Sequence, residues 1–378
     1  MKSITNTIVM FLKISNKTFI KVFVYFLGFS LLYACSTQPD RQETVGRIFK
    51  NYKDVSRQNW LTEGDRPINT IVWYPADNAF SEEVWDIGVF TAGWSAPNAP
   101  IKKGLDKRPL IILSHGTGGA AAQLSWLAEA LVNHGFIVAA INHHGNTAAE
   151  ERYSEKGFAL WWERSKDISV AIDKLLQDEL FSRFIDPERI GAAGFSLGSY
   201  AVLTAVGAET SLSQFKNYCS QHKSEIECAL PPEIKQLNVN FEELIKTQNA
   251  ASEPYQNKAG MILHKDTRIK SAYLLAPVHT PALVKPSLKS INIPVAIAVG
   301  NSDAQSRLTT NANILKEQIT NSRLEILDKV GHYTFLAPCG FKGKMTLAEL
   351  CSDHSDIERK EIHKKVSEDA ANFFKNSL

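Results

Sequence analysis

Arg189-Ile190-Gly191-Ala192-Ala193-Gly194-Phe195-Ser196-Leu197-Gly198 runs from a short apolar stretch into a turn bracketed by two glycines. Asp186-Pro187 breaks the chain just before it. Such a stretch reads as a buried strand over 189–195, a tight turn, and a helix that starts at Ser196 or Leu197. The turn is sharp enough to strain the backbone at the serine. Side chains two residues to either side must then be minimal, and Gly194 and Gly198 meet that need. A serine on such a turn is lifted above the sheet edge. The backbone N–H groups at the start of the helix carry partial positive charge beside it.

Working outward, the same alternation of strand and helix recurs. Ile68–Pro75 alternates and is rich in β-branched residues, Pro109–Leu113 and Phe136–Ile141 are continuous apolar runs, and later strands fit Lys270–Leu275, Ile293–Val299 and Leu324–Leu327. Continuous apolar runs of this length mark strands buried on both faces. A helix is expected over Ala120–His134. Another carries Ile168, Ala171, Ile172, Leu175 and Leu176 at the spacing of one apolar face. The last helix places Ile362, Val366, Ala370 and Phe373 together. Residues 76–108, rich in Pro, Gly, Asn and Trp, read as loop, and 208–268 read as a polar insertion after the helix that follows Ser196. The pattern is that of an α/β fold with a mostly parallel central sheet and helices on both faces, spanning about 45–378.

A serine hydroxyl becomes a nucleophile only when a base takes its proton, and the base needs an acid to orient it. Of the 10 histidines, His332 follows the last strand in Leu327-Asp328-Lys329-Val330-Gly331-His332, where a loop delivers it to the sheet edge. His354 and His363 fall in a charged stretch expected to be exposed. Asp303, in Val299-Gly300-Asn301-Ser302-Asp303, is the expected acid, with Asp266 and Asp328 as alternatives. Ser114-His115-Gly116-Thr117-Gly118-Gly119 forms a glycine-rich turn after the strand 109–113. Main-chain donors there can stabilise charge on a carbonyl oxygen, and the N–H groups of Thr117 and Leu197 are assigned that role. A phosphate-binding reading of the same glycines lacks the following Lys-Ser/Thr and the dinucleotide spacing. His115 reads as a loop-fixing residue rather than a base.

These residues, with Val72-Trp73-Tyr74-Pro75 and Asn142-His143-His144-Gly145-Asn146-Thr147, resemble the α/β-hydrolase family. The resemblance is to the branch of platelet-activating-factor acetylhydrolase-like and dienelactone-hydrolase-like proteins. It implies an α/β-hydrolase fold, a serine carboxylic ester hydrolase with Ser196, His332 and Asp303 as its triad, and Thr117 and Leu197 as oxyanion donors. Ser196 stands where the dienelactone enzymes proper use cysteine. No cofactor or metal is expected. His143 and His144 read as loop structure beside the pocket rather than metal ligands, and Trp161 and Trp162 as packing rather than an acyl pocket. The expected substrate is a short-chain acyl ester or a phospholipid-like ester. An exported serine peptidase, and a non-catalytic envelope lipoprotein retaining the fold, are the alternatives.

The amino-terminal segment reads as an export signal. Lys2, Lys13, Lys17 and Lys21 precede the apolar run Val22–Leu32, which is shorter than the ~20 residues of a membrane-spanning helix. Leu32-Tyr33-Ala34-Cys35 resembles a bacterial lipobox, with Cys35 as the lipidated residue and residues 1–35 as the signal. Tyr33 departs from the usual small residue, and ordinary cleavage or an uncleaved anchor are the alternatives. The expected location is the cell envelope, through a lipid anchor in the membrane, or otherwise the periplasm or exterior. Cys219, Cys228, Cys339 and Cys351 form an even set, as two disulfides in an oxidising compartment require. Local pairing closes the shortest loops and is preferred among three connectivities, while a zinc site lacks a tight spacing.

The whole chain of 378 residues is 44% hydrophobic and 22% charged, which excludes a disordered, collagenous or coiled-coil protein. Its net charge of +2 rests on the four leading lysines, leaving 38 basic against 40 acidic residues beyond them. A near-neutral body gives no electrostatic ground for nucleic acid as a partner.

Overall fold

Among the described residues ten strands share one sheet: β1 (Thr44–Gln58), β2 (Asp65–Ala76), β3 (Glu83–Ile87), β4 (Phe90–Pro97), β5 (Arg108–Ser114), β6 (Ile137–Asn142), β7 (Ile185–Phe195), β8 (Ile269–Leu275), β9 (Val295–Gly300) and β10 (Ser322–Leu327). The computed structural model describes residues 43–237, 239–257 and 260–378. The expected signal segment and Cys35 lie outside the described residues. The spatial order is β10-β9-β8-β7-β5-β6-β2-β1-β4-β3. Strands β5 to β10 pair in parallel, while β2 runs antiparallel to both β6 and β1.

The principal helices are α1 (Ser125–Asn133), α2 (Glu163–Gln177), α3 (Leu197–Ala205), α4 (Leu212–Gln221), α5 (Phe241–Ser252) and α6 (Arg359–Ser377). The period-2 alternation of β5 divides the core. Leu110 and Ile112 pack with Ile168, Ala171, Leu175 and Tyr200 of α2 and α3. Ile111 and Leu113 pack with Leu127 and Leu131 of α1 and with Val366, Ala370 and Phe374 of α6. This is the α/β-hydrolase architecture, a mostly parallel sheet sandwiched by helices. The strand order reverses at β5, with β6 on one side and β7 on the other. A crevice at the carboxyl ends of β5 and β7 follows from that reversal.

Several local expectations are corrected. Residues 76–108 are not all loop, since β3 and β4 form an antiparallel hairpin there. Phe90, Ala92 and Ala96 face inward, and the turn glycine Gly88 has φ +75°. Glycine, proline and tryptophan in these short strands at the end of the sheet obscure the pairing. Asp186-Pro187 does not end the chain's strand character. Both residues lie within β7, at the irregularity where pairing passes from Arg108↔Ile185 to Leu110↔Ile190. A bulge tolerates a proline that lacks a donor N–H.

The helix expected over Ala120–His134 begins as a 3-10 turn at Ala121–Leu124. The buried face of α6 carries His363, Val366, Ala370 and Phe374 rather than Ile362 and Phe373, a rotation of about one residue. His363 is therefore not exposed. Its ring lies flat on Trp126 at 4.0 Å and its Nε2 meets the Thr334 carbonyl at 2.7 Å. His354 is exposed, as expected.

Disulfides join Cys219 to Cys228 and Cys339 to Cys351, the local pairing. They suit an extracellular or exported protein. Among the described residues no helix is long and apolar enough to cross a membrane.

Candidate active site

Strand β7 delivers Ser196 to the carboxyl edge of the sheet on a strained turn, with φ 55° and ψ −121°. Few side-chain-bearing residues hold such a backbone, so the surroundings must fix it. The Ser196 N–H donates to the Leu275 carbonyl (2.9 Å), and the Ser199 hydroxyl donates to the Gly194 carbonyl (2.6 Å). A Cβ at position 194 would lie 2.2 Å from the Gly198 carbonyl group. Here the glycine requirement read from the sequence is physical, because no larger residue fits.

The other two residues arrive on the loops after β9 and β10. His332 Nδ1 lies 2.8 Å from Asp303 Oδ2, and His332 Nε2 lies 3.0 Å from Ser196 Oγ. All three side chains are largely buried, at 7% exposure for Ser196, 5% for Asp303 and 7% for His332. The remaining oxygen of Asp303, Oδ1, accepts the N–H groups of Gln305 and Ser306 at 2.9 and 2.7 Å. With its carboxylate held on both sides, the aspartate fixes the orientation of the imidazole.

The two loops are tied together behind the pair. Asn301 N–H donates to the Leu327 carbonyl (3.0 Å), Ser302 N–H to the Val330 carbonyl (3.2 Å), and Lys329 N–H to Asn301 Oδ1 (2.7 Å). A Cβ at Gly300 would sit 1.9 Å from the Val330 oxygen, so this close approach needs glycine. The alternative acids are held elsewhere. Asp266 pairs with Arg268 at 2.6 Å, and the exposed Asp328 accepts from Asn301.

The glycine-rich turn closes over the serine from β5. A Cβ at Gly116 would lie 3.2 Å from Ser196 Cβ. Thr117, the next residue, is half-buried, and Leu197 opens α3 directly after Ser196. His115 is buried in this turn and accepts the His143 N–H on Nε2 (3.1 Å), leaving Nδ1 to donate to the Gly116 carbonyl (2.7 Å). Burial and the neighbouring Arg164 hold His115 well below the usual imidazole range, so it stays neutral.

A second serine–histidine–aspartate array, missed in the sequence, lies behind the turn. Ser114 Oγ is 2.8 Å from His143 Nε2, and His143 Nδ1 is 3.0 Å from Asp167 Oδ2. Its environment differs from that of Ser196. Ser114 and Asp167 are 0% exposed and His143 is 1% exposed. The Asp167 carboxylate is bound by Arg66 on two nitrogens (2.8 and 2.9 Å) and by Arg57 (2.8 Å). Arg57 also meets Glu163 at 2.8 Å. Desolvation, with Arg164 next, pushes His143 down to about 4. With His143 neutral and all three residues walled in, this array is an anchor that joins the ends of β5 and β6 to α2. The signal was present in the sequence: Arg164 and Asp167 continue the apolar face of α2 by one turn toward its start.

His144 is occupied too, with Nε2 accepting the Trp60 N–H at 2.7 Å and Nδ1 2.6 Å from Glu150 Oε1. Trp161 lies flat on His279 at 4.4 Å, with Phe215 and Tyr200 edge-on to it at 5.0 and 6.1 Å. Trp162 is in the core at 1% exposure.

Comparison with known proteins follows the same lines. The sequence model of the family "Platelet-activating factor acetylhydrolase, isoform II" matches residues 89–182. Platelet-activating factor acetylhydrolase of Cavia porcellus is 46% identical over 56 residues, 15% of this chain and 13% of that protein. The Bos taurus protein of the same name is 39% identical over 70 residues, 18% of this chain and 16% of the relative. The chain thus spans under a fifth of the length of these relatives. A ferulic acid esterase from Streptomyces cinnamoneus superposes with a TM-score of 0.57 at 17% identity, covering 91% of this chain and 92% of that one. The fold is that of the α/β-hydrolases, and the matched segment supports the acetylhydrolase-like branch. That segment holds the glycine-rich turn, His143 and Asp167, and ends before Ser196.

Proposed function

We propose that this α/β-hydrolase-fold chain is an exported serine hydrolase that cleaves carboxylic esters. The observation that carries the reading is the relay from Ser196 Oγ through His332 to Asp303, at 3.0 and 2.8 Å. Ser196 Oγ attacks the ester carbonyl carbon and passes its proton to His332 Nε2. Asp303 orients the ring and stabilises its cationic form. The N–H groups of Thr117 and Leu197 hold the oxyanion, each worth ~3–4 kcal/mol of barrier in such sites. Collapse expels the alcohol, which takes the proton from His332 and leaves an acyl-serine. Water attacks that ester with His332 again as base, releasing the acid and restoring Ser196.

The names of the relatives point to the acetyl ester of platelet-activating factor, and that of the structural neighbour to a ferulic acid ester. Both are esters with a small acyl or aryl-acyl group. We take a short-chain acyl ester, or a phospholipid-like one beside a membrane, as the substrate class. The amino-terminal signal and Cys35 would hold the enzyme at the envelope. Replacement of Cys35 by serine, with fatty-acid labelling of the expressed protein, tests that anchor.

The activity is tested with p-nitrophenyl esters of graded chain length beside a peptide panel. Ester turnover that disappears in Ser196→Ala is expected. A Ser196→Ala protein as active as the parent overturns the mechanism, and selective peptide cleavage overturns the substrate class.

A further inference from the structure

We infer that Arg164 is a positioning residue that holds the Gly116–Thr117 peptide so that the Thr117 N–H faces the carbonyl oxygen of a substrate on Ser196. The inference rests on the reading of the site as a serine hydrolase. Arg164 stands in the first turn of α2 and is 2% exposed. Its guanidinium makes an unusual set of bonds for a buried cation. Nη1 donates to the His115 carbonyl (2.6 Å), and Nη2 donates to Asn146 Oδ1 (3.0 Å) and, more weakly, to the Gly116 carbonyl (3.4 Å). All three acceptors belong to the glycine-rich turn or its support. Asn146 Oδ1 also receives the Gly118 N–H at 2.6 Å, so the arginine reaches the far side of the turn through that amide.

The geometry of the peptide bond turns these contacts into an orientation. A trans peptide places its C=O and N–H on opposite sides. The Gly116 oxygen belongs to the same peptide as the Thr117 nitrogen. Three donors gather at that oxygen: His115 Nδ1 (2.7 Å), the Gly119 N–H (3.3 Å) and Arg164 Nη2 (3.4 Å). With the oxygen held among these three donors, the Thr117 N–H is directed away from them. Gly116 itself lies against Ser196, as its virtual Cβ contact of 3.2 Å shows. A glycine-rich segment with Gly118 at φ +61° has little stiffness of its own, so an outside brace is needed to choose one peptide orientation. Burial lowers the Arg164 guanidinium to about 9, which leaves it charged at neutral pH. The Ser114–His143–Asp167 array supports the same turn from beneath.

The test compares Arg164→Lys, Arg164→Met and Asn146→Ala with the parent on a short-chain ester and with a trifluoromethyl ketone, whose serine-bound hemiketal places an oxyanion in the same position. The expected result is a fall in kcat of roughly 10²-fold for the arginine variants, the size seen when one oxyanion donor is lost, with KM changed little. The ketone's inhibition constant should rise by the same factor as kcat/KM falls, because both report transition-state binding. The pH profile should keep its midpoint, since His332 is untouched. An arginine needed only for folding would lower the melting temperature without that correlation.

A lysine variant with parental kcat/KM overturns the inference, because a single ammonium cannot replace the fork. Should the arginine variants fail to fold, Asn146→Ala, which leaves Arg164 in place, carries the same comparison. Crystal structures of Arg164→Lys or Asn146→Ala give a readout apart from activity, and an unrotated Gly116–Thr117 peptide in them overturns the inference. Loss of the hydrolase reading itself would show in the parent and in Ser196→Ala, not in these variants.

Discussion

Gly198 and Ser114 pack backbone to backbone: a Cβ at position 198 would lie 1.9 Å from the Ser114 carbonyl oxygen and 2.6 Å from its carbon. This contact ties the first turn of α3, which follows the strained serine, to the last residue of β5, which leads into the glycine-rich turn. The two halves of the proposed oxyanion site therefore share one fixed spacing.

The first prediction concerns Gly198→Ala. In an ordinary helix interior such a change stabilises by about 1 kcal/mol. Here the new methyl has only backbone to displace, so β5 and the turn 115–119 must retreat from Ser196. We expect a lower melting temperature and a fall in ester hydrolysis of about 10²-fold or more, equivalent to losing an oxyanion donor. Kinetics and thermal unfolding of the purified variant check it. Parental values in both would show that the two elements can separate without consequence.

The two serine–histidine–aspartate arrays make a second prediction, because their geometries are alike and their surroundings are not. Ser196 sits at φ 55° on an elbow beside its histidine, whereas Ser114 is 0% exposed and its aspartate is already bound by Arg66 and Arg57. A fluorophosphonate should modify Ser196 alone, as read by peptide mass spectrometry. Ser114→Ala should still be labelled, with stability lowered by about 1–3 kcal/mol because His143 Nε2 is left without its partner. Adduct on Ser114 in the parent protein would refute the assignment of that array as an anchor.

Much of this organisation is legible in the sequence, and the exceptions have causes. The elbow could be read because steric exclusion at Gly194 and Gly198 writes itself into residue type at fixed spacing. Asp303 and His332 could be placed because each follows an apolar strand, and parallel strands deliver their following loops to the same edge. The anchor array could not be read so directly. Ser114, His143 and Asp167 come from three separated elements, and of the three only Asp167 shows its burial in the sequence, by falling on the apolar face of α2. The rotated face of α6 has a related origin. His363 is counted as polar in any hydropathy pattern, yet it stacks on Trp126 and buries as an aromatic. The hairpin of β3 and β4 is hidden because it is short and closes one end of the sheet, with β3 as the edge strand, where no continuous apolar run is needed.

The third prediction separates the candidate acids. Asp303 is the carboxylate that meets His332, at 2.8 Å, while Asp266 is engaged with Arg268 and Asp328 with Asn301. Asp303→Asn should lower kcat by about 10⁴-fold, the effect of setting the wrong imidazole tautomer in serine triads. Asp328→Asn and Asp266→Asn should stay within a few-fold of the parent. A large loss in Asp328→Asn with little in Asp303→Asn would move the acid to the other loop.

The last prediction is a pH dependence of stability, and its sign follows from burial. Desolvation is the largest cause holding His279 down to about 4, with Arg164 adding to it. Desolvation likewise holds His363 down to about 3, with the Thr334 carbonyl opposing. In the unfolded chain both return to about 6.5. As pH falls below 6.5, the unfolded state therefore takes up protons that the folded state refuses, and stability drops with acidification. Above 6.5 neither histidine contributes a slope. Each one that stays neutral in the fold while charged in the unfolded chain costs about 1.4 kcal/mol per pH unit, down to its own folded value.

His279 is the cleaner probe, because its Nδ1 is buried without a partner and its ring is stacked on Trp161. His279→Phe keeps an aromatic ring there and removes the proton. The residue sits at φ 59°, so the variant is expected to be somewhat less stable at every pH. That offset does not depend on pH, and the slope is the quantity to compare. Denaturant unfolding of parent and variant at intervals between pH 7.5 and 4.5 should give the parent a decline steeper by about 1.4 kcal/mol per unit below pH 6. Parallel curves for the two proteins would show that His279 takes up its proton in the folded state as readily as in the unfolded one.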